Sequence, residues 1–185
     1  MNRERAQEME MVQSAVAMTV VLCSFAMLFA TMFLGYFLLR SNADVWPPVE
    51  IEGMPQGIPL VSTVFILLSS VTYYFFEHKA QAKKLLFSLT IVFGALFLLS
   101  QWLLWGSLAD AGIFVSDGMV PSMVYAFTWL HAAHIGLALI LLFWLGFFVF
   151  FKTEKLTKLK VINVGKFWHF LGVVWLLMYL LIFVL

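Results

Sequence analysis

Two histidines three residues apart, His131 and His134, are the groups in this sequence best placed to do chemistry. At that spacing on a helix they share one face. They lie inside an apolar run that follows the turn-forming cluster Ser116-Asp117-Gly118, carries Trp129 and ends at Lys152. A polar side chain in such a segment is costly and needs a partner. The plainest reading is that each imidazole hydrogen-bonds to a neighbouring helix. The others are a metal or haem ligand and a role in a protein interface.

The elements that must position these groups are membrane helices. Of 185 residues, 63% are hydrophobic and only 11% are charged. A soluble domain carries about 25% charged and roughly 45–50% apolar residues. The chain therefore reads as an integral membrane protein, all-α because backbone groups in lipid must be satisfied internally. A net charge of +1 makes no case for nucleic acid, and the single cysteine, Cys23, allows neither an internal disulfide nor a cysteine cluster.

Five spans are expected, at about 14–39, 58–76, 85–105, 121–151 and 164–185, in one membrane domain covering residues 1–185. A short hydrophilic lead-in precedes the first, which is too long for a signal-peptide core and reads as a retained span. Three prolines and two glycines exclude a continuous helix over residues 41–57. Glu77-His78-Lys79 marks the exit of the second span, with Pro59 suited to its first turn. Gln101, Trp102 and Trp105 lie near the end of the third, as an aromatic belt would, and a polar loop follows over residues 106–120. The fourth span exceeds the roughly 20 residues that cross the hydrocarbon, so it must tilt or project.

Orientation follows from the cations. With the N-terminus inside, Arg3, Arg5, Lys79, Lys83, Lys84, Lys152, Lys155, Lys158, Lys160 and Lys166 all fall inside, and only Arg40 falls outside. Five spans then place the C-terminus outside.

None of the ten acids lies in the middle of a span, and Glu77 is at an edge. A self-contained pump or channel normally needs intramembrane charges, and no half-helix pair points to a transporter. For a haem, two histidines must meet at equal depth. His134 lies 13 residues past Pro121, roughly 20 Å at 1.5 Å per residue, whereas His169 opens the last span from the other side. His78 with His169 is the remaining pair. Small hydroxyl residues and glycines along the spans suit close helix packing.

An ordered set of short stretches resembles subunit III of the haem–copper oxidases, the respiratory terminal oxidases. They are Cys23-Ser24-Phe25-Ala26-Met27-Leu28-Phe29, Gly35-Tyr36, Trp46-Pro47-Pro48, Pro59 leading into Leu67-Leu68-Ser69-Ser70, Gln101, Ser116-Asp117-Gly118, His131 with His134, Phe167-Trp168-His169-Phe170, and Val173-Val174-Trp175 with Tyr179. The match runs from residue 14 to the end and corresponds to the five-span bacterial form. Phe25 stands where the family has a buried glutamate. Leu103-Leu104 occupies the region of a second, and Gly172 replaces an aspartate.

The resemblance implies a non-redox accessory subunit of an oxygen-reducing oxidase, with cytochrome c oxidase as the leading case. Haem and copper would sit in subunits I and II, none in this chain. Partners would be those two subunits, a small subunit IV and membrane phospholipid, in the bacterial inner membrane. His131, His134, His169, Gln101 and Trp168 carry over as packing or lipid-contact residues, with no catalytic, cofactor or metal residue. The alternatives are the related subunit of a nitric oxide reductase or quinol oxidase, and a haem-b anchor linked to quinone.

Overall fold

A computed structural model describes residues 2–46, 48, 51, 53–78, 83–151 and 158–184. Five helices follow in order: α1 (Asn2–Ser41), α2 (Gly57–His78), α3 (Lys83–Asp110), α4 (Met119–Phe151) and α5 (Lys158–Tyr179), the last continued by a π turn over Leu180–Val184. A short 3₁₀ turn, Val115–Asp117, falls in the Ser116-Asp117-Gly118 cluster. Among the described residues there is no strand, and five helices are long and apolar enough to cross a membrane. Pro47, Glu50, Glu52, Lys79, Lys152 and Lys155, to which the sequence reading assigned loops and cationic edges, lie outside the described residues.

Three boundaries differ from expectation, each for a local reason. Residues 2–13 are not a separate lead-in but the start of α1. They hold strong helix formers such as Arg5, Ala6, Gln7 and Glu8, with neither glycine nor proline. Residues 106–110, expected as loop, continue α3. Leu104 and Leu108 keep its buried stripe going past Gly106. The stop comes at Gly112, whose φ of +74° closes a Schellman motif. In it the Gly112 amide donates to Ala109 O (3.0 Å) and the Ile113 amide to Leu108 O (2.9 Å). Residues 158–163 open α5 rather than a loop. They are tied down where Tyr73 Oη donates to Val161 O (2.7 Å) and Asn163 Nδ2 donates to Ser14 Oγ (2.7 Å).

The helices run alternately up and down. Thr63 pairs with Trp175 and Ser70 with His169, so α2 and α5 are antiparallel. Ser62 meets Ser100 and Ser69 meets Thr90, which makes α2 and α3 antiparallel. Three contacts set the α3–α4 register: Trp105 with Thr128, the Cβ position of Gly94 with Leu139, and Phe87 with that of Gly146. Helix α5 sits centrally, and α1 lies along α4 and α5 at the periphery.

Candidate functional site

The polar side chains at depth form two girdles across α2 to α5, and tryptophan is their recurring donor. Trp168 Nε1 donates to Ser69 Oγ (3.2 Å), whose own O–H donates to Thr90 O (2.8 Å). Trp175 Nε1 donates to Thr63 Oγ1 (3.0 Å), which donates to Pro59 O (2.8 Å). Trp105 Nε1 donates to Thr128 Oγ1 (3.1 Å), which donates to Val124 O (3.0 Å). In each relay a bulky apolar ring fills space between helices while its one polar atom is satisfied. This is what a buried indole requires.

The girdle nearer the lysine-bearing ends holds Trp168 and His169. Trp168 is fully buried, and its six-membered ring lies over Gly94. A Cβ on Gly94 would come within 2.8 Å of that ring and 2.9 Å of Leu139. His169, half-buried, pairs through Nδ1 with Ser70 Oγ at 2.5 Å. The Cβ position of Gly172, one turn on, lies 4.0 Å from the same hydroxyl. His78 is exposed, donates Nδ1–H to Tyr74 O (2.9 Å) and packs on the Tyr74 ring at 4.2 Å.

The second girdle holds Gln101, Ser62, Ser100 and His131. Gln101 Nε2 donates to Ser62 Oγ (3.1 Å), and the two serine oxygens stand 2.7 Å apart. Gln101 is not at a helix end, as its place in the sequence suggested, but fully buried. His131 is also fully buried, ringed by Phe29, Phe97 and Trp175 at centroid distances of 6.0, 5.9 and 5.6 Å.

His134 shares the Phe29 contact with His131 but faces α1. Its ring meets Phe25 edge-on at 4.6 Å, and its Nδ1–H donates to Leu130 O of its own helix at 2.6 Å. The expectation that both imidazoles bond to neighbouring helices is therefore corrected. His134 bonds within α4, and His131 has no hydrogen-bond partner among the described residues. The i−4 carbonyl is the nearest acceptor for a helical imidazole that turns back along its own helix. A rotamer decides between that acceptor and another helix, and spacing does not report the rotamer. Phe25, where the resembled family carries an acid, packs on His134 and on Phe167 at 5.5 Å.

The sequence marks Ser62, Thr63, Ser69 and Thr90 as small residues for close packing and weak hydrogen bonds between helices, without their partners. The structure makes Ser62, Thr63 and Ser69 the partners of Gln101, Trp175 and Trp168, while Thr90 accepts from Ser69 through its backbone carbonyl. Their seven-residue repeat in α2, Ser62/Thr63 and Ser69/Ser70, is the signal that could have found them. Among the described residues no group of three or more His, Cys, Asp or Glu is placed to hold a metal ion.

Residues 5–185 match the family described as cytochrome c oxidase subunit III. The chain belongs to that family. A subunit III relative from Corynebacterium diphtheriae is 30% identical over 183 residues, covering 91% of this chain and 86% of its own. A relative from Candida glabrata is 28% identical over 85% of this chain, and a probable subunit III from Rickettsia prowazekii is 31% identical over 76%. The chain spans 62% and 53% of those two proteins, respectively. In this chain Trp168 and His169 lie on α5 and His131 and His134 on α4, with α5 bonded to α2 and α4 to α3 through hydroxyl residues.

Proposed function

We propose that the chain is the non-redox accessory subunit III of a respiratory haem–copper oxidase that reduces oxygen to water. It packs on subunit I beside subunit II, with a small subunit IV as a further neighbour, and holds phospholipid in the bacterial inner membrane. Its N-terminus is inside and its C-terminus outside. Haem and copper belong to the partner subunits. His131, His134, His169, Gln101 and Trp168 serve packing and lipid contact. The observation that carries this reading is the family match over residues 5–185. The geometry agrees with it, because the buried tryptophans, Gln101 and the serines spend their donors on one another and on backbone carbonyls. Such bonds tie the helices to one another, as a scaffold requires.

A second reading, attachment to a nitric oxide reductase or quinol oxidase, is favoured by one feature. Phe25 and Gly172 stand at positions where the resembled family carries acids. Both readings are tested by purifying the tagged chain in mild detergent and identifying what accompanies it. Co-purification with haem- and copper-bearing oxidase subunits is expected. A nitric oxide reductase core would favour the second reading, and a stable, partner-free monomer would contradict both.

A further inference from the structure

The second girdle contains two fully buried polar side chains whose hydrogen-bonding capacity is not met among the described residues. Gln101 Oε1 and both ring nitrogens of His131 lie out of contact with solvent and, among the described residues, with any donor or acceptor. Such groups are rare in native structures, because a buried polar atom left unpaired forfeits its hydration with nothing in return.

The α3–α4 register brings the two together. Trp105 lies opposite Thr128, Gly94 opposite Leu139 and Phe87 opposite Gly146. Continuing that antiparallel register sets Gln101 opposite Ala132, the residue next to His131. Independent contacts close the same level from other sides. Phe97, one turn before Gln101 on the same face, meets the His131 ring at 5.9 Å. Trp175 meets both rings, at 5.6 and 4.8 Å, and is bonded to Thr63, the neighbour of the Ser62 that holds Gln101.

We propose that Gln101 and His131 together bind one internal water molecule between α3 and α4. The donor count points to water. The Gln101 amide nitrogen is committed to Ser62, so the atom left over is an acceptor. A neutral imidazole presents one bare nitrogen, also an acceptor, and one N–H. Phe97 and Phe29 stand edge-to-face with the imidazole, at 81° and 68° to its plane. Two buried acceptors at one level of the bundle are bridged by a ligand with two donors, and water is the smallest that fits. If the amide is rotated by 180°, its NH₂ faces the site instead, and water accepts from it as readily as it donates. Buried waters typically occupy such sites, with two to four polar partners. The bound water links α3 to α4 at the level where Ser62 and Thr63 already link α2 to α3 and α5.

The test is a density map, at a resolution that shows ordered water, of the full chain purified in mild detergent with its accompanying subunits. A peak within about 2.6–3.2 Å of both the Gln101 amide and a His131 ring nitrogen is expected. An empty site, or a direct amide–imidazole bond, overturns the proposal. A second measurement does not depend on resolution. Gln101→Leu, His131→Leu and the double variant are compared by the thermal unfolding midpoint of the same preparation. A shared water predicts that the double variant falls no further than the worse single one, whereas additive shifts mean independent sites and overturn the proposal.

Discussion

Helices α1 and α5 are equally able to cross a membrane by length and hydropathy, yet they are built into the bundle in opposite ways. In the most apolar stretch of α5, 50% of residues are buried inside the chain, against 6% in α1. Their polar side chains differ accordingly. On α5, Trp168, His169 and Trp175 each bond to a hydroxyl on α2. On α1, Thr19, Ser24 and Thr31 turn back to the carbonyls of Ala15, Val20 and Met27 in their own helix and remain exposed. Apolarity thus says that a helix is in the membrane. Where its hydrogen bonds go says whether it faces protein or lipid. In this chain α5 is the keel, and most of the described part of α1 is exposed surface.

The strongest way to break that contrast is at Trp168. Trp168→Ala removes a fully buried ring and its bond to Ser69, at a cost of about 3–5 kcal/mol. The purified chain should show a large drop in thermal midpoint and poor recovery with its partners. A midpoint within a degree of the parent would mean that α5 is not the keel. Next is Gly94→Ala, which sets a methyl 2.8 Å from the Trp168 ring and should cost about 1–3 kcal/mol by overpacking. Gly136→Ala is the control, because nothing lies within 4 Å of its Cβ position. Equal effects of the two glycine changes would contradict the packing described.

Hydrogen bonds between membrane helices are weaker, averaging about 0.6 kcal/mol with a ceiling near ~1.7. Thr63→Val, which removes the acceptor for Trp175, should therefore give a small but measurable destabilisation. Ser24→Ala on α1 should give none, since it loses only an exposed bond within its own helix. The smallest effect expected is chemical silence. Hydrophobic carbodiimide reacts with protonated carboxyls inside membranes, and α1 carries Phe25 where the resembled family has its acid. No adduct is expected by mass spectrometry at depth in α1, over residues 14–39, while Phe25→Glu should introduce one. Labelling at the half-buried Glu77, at the end of α2, is compatible with this. Strong labelling elsewhere at depth is not.

The five helices and the family were legible because hydropathy and ordered landmarks survive in a single sequence. The helix ends were less so. Gly106 looks like a stop, but Gly112 is one, because the stop depends on a φ of +74° and on Leu108 remaining buried. The partners at depth were least legible. Placing His131 and His134 on one face was correct, yet their neighbours depend on α1, α3 and α5 meeting α4 in a particular register. Gln101 illustrates the same point. Its place in the sequence suggests a membrane edge, and only the extra turn of α3 and the Ser62 hydroxyl show it as a core residue.

The central claim is that this chain is a scaffold whose redox groups reside in its partners. The most direct test is the visible absorption spectrum of the tagged chain, taken in its native complex and again after dissociation. Haem bands in the complex and none with the isolated chain are expected. A Soret band that stays with the separated chain, with His78 and His169 as the residues to suspect, would contradict it.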